Sequence, residues 1–170
     1  MQKPKRIILV GHMGAGRALL GKAVADQLDW QFIDIYLGLE RYMGRSLNDV
    51  VGKQSEEVIL QYQADLLSHY TKQENLVITT DDTVILSPKI RELLSQEYVI
   101  YIKVDTQTQL DRMAQSSFPP FPLLSEENRK AFLNKLHLER DALYAQVAKL
   151  TIETHSLEAD LQKIFQALGK

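Results

Sequence analysis

The sequence GHMGAGRALLG at residues 11–21 indicates the fold class. It follows an apolar run at residues 7–10 and leads into a segment of helical period that extends to about Leu28. A glycine-rich turn between a first strand and a helix presents backbone N–H groups to an anion at the positive end of the helix dipole. Gly11 and Gly16 have the spacing of the phosphate-binding motif G-x-x-x-x-G-K-[ST], so the sequence predicts a loop of this type.

The last two positions of this motif are changed to Arg17 and Ala18. A working loop uses a lysine that reaches the β- and γ-phosphates and a hydroxyl that holds Mg²⁺. Arginine keeps the charge but is longer and forked, and alanine offers no side-chain oxygen. Three alternatives stay open for the loop: a turn that binds nothing, a site that binds an anion or a nucleotide without efficient catalysis, and a catalytic site. The candidate loop residues are Gly11, Gly14, Ala15, Gly16, Arg17 and Ala18.

Length and composition predict a single α/β domain over residues 1–170. The 170 residues are 45% hydrophobic, and a chain of this length buries about 70% of the surface that it exposes when unfolded. The net charge is −2 without a long block of either sign, which argues against a nucleic-acid or membrane-surface partner. The absence of cysteine excludes disulfides, thiol catalysis and cysteine metal sites. The apolar run at residues 7–10 is too short for a signal peptide or a membrane span, so we expect a cytoplasmic protein without membrane insertion.

Short apolar runs alternate with longer segments of helical period, which is typical of a parallel sheet covered by helices on both faces. The predicted strands are residues 6–10, 31–34, 76–80, 98–104 and 150–153. Helices are predicted to begin inside the glycine loop, near Glu56, after Ser87 as an N-cap, after Asp105, at Ser125 and from Ser156. The predicted fold class is therefore a three-layer α/β sandwich with a five-stranded parallel sheet.

The chain resembles the shikimate kinases, which are single-domain P-loop kinases that phosphorylate a small hydroxy acid. The resemblance extends over nearly the whole length and implies the P-loop NTPase fold, ATP-dependent chemistry and a lid at about residues 113–125. The segments that carry it are ILVGHMGAG (8–16), WQFIDIYLGLERYMGRSLNDVV (30–51), QENLVITTDDTVI (73–85), QLDRM (109–113), FPLL (121–124) and ERDALYAQVA (139–148).

Several positions that the resemblance marks as functional differ in this sequence. The family carries an Asp-x-Asp pair after the second strand, whose first carboxylate serves the metal and whose second contacts the substrate hydroxyl; here Asp34 is followed by Tyr36. Leu60 stands where an arginine would grip the substrate carboxylate. Asp81 and Asp82 begin the segment that corresponds to three glycines after the third strand. Two carboxylates facing a phosphate site would repel the anion unless a cation lies between them.

The arginine content of the site is also changed. Phe121 replaces the lid arginine that closes over the transferred phosphoryl group, and the lid segment contains no lysine or arginine. Arg140 matches an arginine that contacts the substrate carboxylate, and Arg112 matches one that lies along the adenine. Each has a simpler alternative: Arg140 as an exposed arginine paired with a neighbouring acid on its own helix, and Arg112 as a solvated helix residue.

Together these changes predict a catalytically inactive member of the fold that binds no cofactor and acts through another protein, as a scaffold, adaptor or regulatory subunit. The candidate partner surface is the apolar lid, with Phe118, Phe121, Leu123 and Leu124. One alternative is a sensor that binds a nucleotide or another anion. A second alternative is an ATP-dependent small-molecule kinase, either a weak shikimate kinase or one with a changed substrate, in which Asp34, Asp81 or Asp82 takes over metal or base duty and ATP and Mg²⁺ are bound.

The four histidines carry no expected function. His12 lies at a variable position of the glycine loop, and His69, His137 and His155 show no partner spacing for a metal site. The sequence therefore predicts no resident metal.

Overall fold

The computed structural model describes residues 2–44, 53–115 and 125–170. This part of the chain contains five strands and seven α-helices. The strands are β1 Arg6–Val10, β2 Gln31–Asp34, β3 Leu76–Thr79, β4 Tyr98–Lys103 and β5 Leu150–Glu153. The helices are α1 Arg17–Leu28, α2 Ile35–Met43, α3 Lys53–Tyr70, α4 Pro88–Ser95, α5 Thr106–Ala114, α6 Glu126–Val147 and α7 Leu157–Ala167, with a short 3-10 helix at Asp82–Leu86.

The five strands form one parallel sheet in the order β2-β3-β1-β4-β5. Strand β1 lies at the centre, with Ile8 paired to Ile78 of β3 and to Val99 of β4. All carboxyl ends of parallel strands lie at one edge of the sheet, where α/β proteins bind ligands. The loop that follows β1 therefore lies at this edge, between the ends of β3 and β4.

Alternate residues of β1 face opposite layers of the sandwich, as the side-chain period of a strand requires. Ile8 and Val10 pack into a cluster with side chains from α2, α3, α4 and α6. Ile7 and Leu9 pack into a second cluster with side chains from α1 and α7. This two-sided burial confirms the predicted three-layer sandwich with a five-stranded parallel sheet.

Four predicted helix starts are confirmed by the caps. The side chains of Ser87, Asp105, Ser125 and Ser156 each accept a hydrogen bond from a backbone N–H three residues ahead. The sequence prediction missed α2 and the 3-10 helix, and α3 begins at Lys53, earlier than expected. Helix α2 follows β2 without a linker, so no loop signal separates the two elements.

Two further expectations concern the apolar lid and the absence of membrane insertion. The lid residues Phe118, Phe121, Leu123 and Leu124 lie outside the described residues. Among the residues that the structure does describe, no helix combines the length and the apolarity that crossing a bilayer requires.

Two helical glycines provide a matched test of the packing between α1 and the sheet. A Cβ atom on Gly21 of α1 would lie 2.7 Å from Cγ2 of Thr79 and 3.0 Å from the Phe32 ring, whereas one on Gly38 of α2 would meet no atom within 4 Å. We expect Gly38→Ala to stabilise the protein by about 0.5–1 kcal/mol through helix propensity. We expect Gly21→Ala to destabilise it by about 1–3 kcal/mol through overpacking. Urea unfolding of both variants measures this; equal gains in stability would contradict the packing described here.

Candidate functional site

The glycine loop turns sharply at the carboxyl end of β1. A Cβ atom on Gly11 would lie 2.6 Å from the carbonyl oxygen of Ile102 on β4, so only glycine fits there without a shift. Gly16 adopts φ 81° and caps α1 with no side chain of its own. The first N–H groups of α1 are thus left for an external acceptor, which is the arrangement that binds phosphate.

A first cleft of about 430 Å³ opens on one side of the loop. It combines the start of α1 with the carboxyl ends of β2 and β3. Its lining includes Gly14, Gly16, Arg17, Ala18, Asp34, Tyr36, Thr80 and Asp81. One Nη group of Arg17 donates to the Thr80 carbonyl oxygen at 2.7 Å, which holds its positive charge at the end of β3.

A second cleft of about 350 Å³ opens on the other side of the same loop. Its lining comprises Gly14, Ala15, Gly16, Leu19, Leu20, Arg112, Thr154, Leu157 and Asp160. The Arg112 guanidinium donates to the Gly14 carbonyl oxygen at 2.9 Å. Arg112 is half-buried and ordered against the loop, so its interpretation as a merely solvated helix residue is wrong.

The two acidic residues after β3 face different surroundings. Asp82 accepts a hydrogen bond from Arg140 of α6 at 3.0 Å, and the carbonyl oxygen of Asp82 accepts one from the Tyr144 hydroxyl at 2.6 Å. Arg140 is only 8% exposed, so the alternative of an exposed arginine paired on its own helix is wrong. Asp82 therefore contacts side chains of α6. This corrects the expectation that the carboxylates of both Asp81 and Asp82 face the phosphate site.

Asp81 lines the first cleft. Its carboxylate caps the 3-10 helix and accepts hydrogen bonds from the backbone N–H and the hydroxyl of Thr83. Burial and the adjacent Asp82 carboxyl raise the pKa of Asp81 to about 6, against the lowering effects of the Thr83 hydrogen bond and the charge of Arg17. A carboxyl group with this pKa can take up and release a proton near neutral pH.

The other predicted site residues divide between cleft and core. Asp34 accepts hydrogen bonds from the N–H groups of Tyr36 and Leu37 at 3.0 and 3.2 Å, which caps α2 and fixes the carboxylate at the first cleft. Tyr36 also lines this cleft. Leu60 packs against the hydrophobic cluster under α3 and is not among the residues that line either cleft.

A group of polar side chains that the sequence prediction missed lies beside the loop. His12 is buried, and its Nε2 lies 2.5 Å from Oδ1 of Asp141 on α6. His137, one turn earlier on α6, places Nδ1 3.0 Å from the same oxygen. His12, His137 and Asp141 form the one grouping of potential metal ligands among the described residues, which corrects the expectation that His137 has no partner. The spacing of His137 and Asp141 was the only signal in the sequence, because His12 is 129 residues from Asp141.

A comparison with known protein families identifies the family of this chain. A family model described as Shikimate kinase matches residues 13–169. The chain belongs to the shikimate kinase family. Shikimate kinases are ATP-dependent phosphotransferases.

Three shikimate kinases resemble this chain over nearly its whole length. One from Francisella philomiragia subsp. philomiragia is 32% identical over 157 residues, which are 91% of this chain and 88% of that protein. One from Xanthomonas euvesicatoria pv. vesicatoria is 30% identical over 158 residues, which are 92% of this chain and 87% of that protein. The solved structure of the Acinetobacter baumannii enzyme in complex with shikimate is 32% identical, has a TM-score of 0.84, and covers 98% of this chain and 93% of its own.

These similarities overturn one prediction from the sequence. The interpretation of the chain as an inactive scaffold that acts through another protein is wrong, because relatives at about 30% identity over most of the chain are shikimate kinases. The expectation that the protein binds no cofactor followed from the predicted inactivity and is no longer supported. The prediction of inactivity assumes that each changed position lacks a functional group. The fold instead brings two carboxylate residues, Asp34 and Asp81, to the lining of the first cleft.

The raised pKa of Asp81 predicts a pH-dependent effect on stability. Its pKa is about 6 in the folded protein, above the 3.8 of an ordinary aspartate side chain. The folded protein favours the neutral form of the Asp81 carboxyl. The contribution of Asp81 to the free energy of unfolding is therefore full below about pH 4 and is lost as the pH rises through about 6. We expect Asp81→Asn to have a higher melting temperature than the wild type at pH 8 and an equal one below pH 4.

Thermal melting of both proteins from pH 3.5 to 8 measures this difference. Asp26→Asn on the exposed face of α1 is the matched control, and its difference from the wild type should show no step near pH 6. A constant difference between Asp81→Asn and the wild type across the whole range would contradict the assignment.

Proposed function

We propose that the protein is an ATP-dependent kinase of the shikimate kinase type, which transfers the γ-phosphoryl group of ATP to a hydroxyl group of a small molecule. The observation that carries the proposal is that two clefts meet at one phosphate-binding loop, with Gly14, Gly16 and Leu19 in the lining of both. A nucleotide in one cleft can therefore present its terminal phosphate to a substrate in the other.

The second cleft suits the nucleoside. Leu157 offers an apolar surface, and Arg112 offers a planar guanidinium that can stack on a base. The phosphates would then follow the loop to the N-terminus of α1, where the backbone N–H groups and the helix dipole favour negative charge. Arg17 adds a full positive charge at the far end of this path, beside Thr80.

The first cleft suits a divalent cation as well as a substrate. Mg²⁺ prefers oxygen ligands, and the carboxylates of Asp34 and Asp81 line this cleft although Ala18 contributes no hydroxyl. We assign Asp34 to the metal, because its capping bonds to α2 hold the carboxylate in one orientation. When bound, Mg²⁺ neutralises charge on the β- and γ-phosphates.

Asp81 is the residue that we assign to the substrate proton. A position that the resemblance gives to a substrate-contacting carboxylate holds Tyr36 here, and Tyr36 and Asp81 line the same cleft. A pKa of about 6 lets Asp81 accept the hydroxyl proton near neutral pH as the phosphoryl group is transferred. The carboxylate lost from the end of β2 is thus replaced by one from the end of β3.

The proposal predicts Mg²⁺-dependent formation of ADP when shikimate is added to ATP. We expect Asp34→Asn and Asp81→Asn each to lower kcat by about 10²- to 10³-fold, since each removes a charge placed for the reaction. Gly16→Asp should abolish nucleotide binding, because it introduces a side chain and a negative charge at φ 81° in the loop. A coupled assay of ADP release and calorimetric titration of ATP measure these effects.

Asp26→Asn provides the control, since Asp26 pairs with Lys22 on the outer face of α1. Its kcat and its affinity for ATP should match those of the wild type. The absence of ATP binding in the wild type, together with no ADP release for shikimate or any small hydroxy compound in a panel, would refute the kinase proposal.

A kinase with a changed substrate is the second candidate, and one contact favours it. Arg140, which the resemblance assigns to the substrate carboxylate, is buried and paired with Asp82. Leu60 replaces the other arginine and, half-buried, packs against the hydrophobic cluster under α3. With Arg140 neutralised by Asp82, the site offers a substrate carboxylate less positive charge than the family pattern implies. A neutral polyol is the substrate class that fits this charge balance.

Comparison of shikimate with its methyl ester distinguishes the two candidates. If Arg140 is neutralised by Asp82, the acid and the ester should have kcat/KM values of the same order. Asp82→Asn frees Arg140 and should then favour the acid by roughly 10- to 100-fold, the value of a hydrogen bond to a charged group. A wild-type preference of that size for the acid would exclude the neutral-substrate candidate and leave the shikimate kinase activity standing.

A further inference from the structure

Three side chains from two distant parts of the chain converge beside the glycine loop. His12 comes from the loop, and His137 and Asp141 lie one turn apart on α6. Their potential ligand atoms all lie within 4.8 Å of one another, and the two imidazole rings have centroids 4.0 Å apart. Asp141 Oδ1 lies 2.5 Å from Nε2 of His12 and 3.0 Å from Nδ1 of His137. Both rings therefore direct one nitrogen to the same point.

The surroundings fix the orientation of His137. The amide nitrogen of Gln109 donates to the Met13 carbonyl oxygen at 2.8 Å, so the amide oxygen is the atom that faces the ring. Nε2 of His137 lies 2.7 Å from that oxygen and must donate to it. A neutral His137 then carries its lone pair on Nδ1, directed at Asp141. A histidine that donates one N–H to a carbonyl oxygen and presents its other nitrogen to a shared point has the arrangement typical of metal ligands.

The surroundings also orient Asp141 and His12. The Tyr101 hydroxyl donates to Asp141 Oδ1 at 3.0 Å, which orients the carboxylate. His12 is 1% exposed, and its Nε2 is directed at the same carboxylate oxygen. Deprotonated imidazole and carboxylate groups are the forms that bind a metal.

Several polar groups share the carboxylate of Asp141. Nδ1 of His137 lies 3.0 Å from Oδ1 and 3.2 Å from Oδ2. Nε2 of His12 and the Tyr101 hydroxyl also lie within hydrogen-bond distance of Oδ1. A metal ion between the two imidazole nitrogens and this carboxylate would replace the two contacts that the histidines make with it.

We propose that His12, His137 and Asp141 form a binding site for a single divalent transition-metal ion, with Zn²⁺ as the best match. Two imidazole nitrogens and one carboxylate oxygen are typical zinc ligands, and a fourth position would be left for water. Tetrahedral ligands at about 2.0–2.1 Å are separated by roughly 3.3 Å, so His12 and Asp141 must move apart by about 1 Å. Mg²⁺ prefers oxygen ligands, so this site is chemically distinct from the one assigned to Asp34.

An ion can reach this site from solvent. His137 lines a cavity of about 440 Å³ whose wall also includes Thr106, Thr108 and His155. The side chain of Asp141 is 38% exposed. A bound ion would join the glycine loop to α6 through His12, so it should stabilise the loop in the conformation described here.

Titration of the chelator-treated protein with Co²⁺ tests the site, because a tetrahedral Co²⁺ complex has intense visible d–d bands. We expect one Co²⁺ ion per chain, displaced by one equivalent of Zn²⁺, in the presence of excess Mg²⁺ and without nucleotide. His137→Ala and Asp141→Asn should each weaken Co²⁺ binding by more than about 100-fold, since even outer-shell partners of a metal contribute roughly 10- to 100-fold. Zn²⁺ should also raise the melting temperature of the wild type and not of these variants.

His69→Ala is the matched control, because His69 is an exposed histidine on α3 that pairs with Gln73. It should retain the Co²⁺ spectrum and the stoichiometry of the wild type. A wild type without the bands, or bands that persist in both His137→Ala and Asp141→Asn, would overturn the proposal and leave the cluster as a hydrogen-bond network. If His137→Ala shows no cooperative melting, Asp141→Asn and the wild-type titration still decide between these outcomes.

Discussion

The close approach of Gly11 to the Ile102 carbonyl oxygen is the constraint on which the rest of the site depends. A Cβ atom at this position would lie 2.6 Å from that oxygen, so the chain can turn this tightly off β1 only with glycine. The turn places the loop flat on the carboxyl edge of the sheet and directs the N-terminus of α1 toward the two clefts. Because both clefts use the same loop residues, a shift of the loop would alter both together.

Helix α6 connects the loop to the opposite wall of the first cleft. Arg140 and Tyr144 hold the segment after β3 through contacts with Asp82, and Asp141 contacts His12 in the loop. These side chains lie within about one turn of the helix. Helix α6 therefore sets the spacing between the loop and the end of β3. The loop and α6 are already joined by the hydrogen bond between His12 and Asp141, and a metal ion at the proposed site would join them by coordinate bonds as well.

The electrostatics of the first cleft explain how a phosphate site can tolerate two consecutive acidic residues. Asp82 forms an ion pair with Arg140 of α6. Burial and Asp82 raise the pKa of Asp81 to about 6, and the positive charge of Arg17 lies close enough to oppose the shift. Repulsion of a phosphate by this pair is therefore weaker than the sequence suggests. In the proposed reaction, Asp82 has a structural role through its ion pair with Arg140, and Asp81 accepts the substrate proton.

The sequence by itself determined the elements whose signals are local. The central strand, the glycine loop and the capped helices follow from residues close together in the chain, because apolar period, capping side chains and glycine spacing act over a few positions. Helix α2 was missed because it follows β2 without a separating turn. Family membership followed from the order of segments along the chain, yet the inactivity predicted from single changed positions was wrong. The family pattern compares single positions, whereas the function of a position also depends on the side chains that the fold brings beside it.

Only the tertiary structure decided which charged groups meet. Asp82 and Arg140 are 58 residues apart, and His12 and Asp141 are 129 residues apart. No periodicity in the chain relates such positions, since their separation depends on how α6 packs across the sheet. The same packing buries Arg140 and His12, and this burial sets which groups they pair with and which of them a ligand can reach. The sequence thus specified the loop and the sheet that carries it, whereas the packing of α6 specified the chemistry around them.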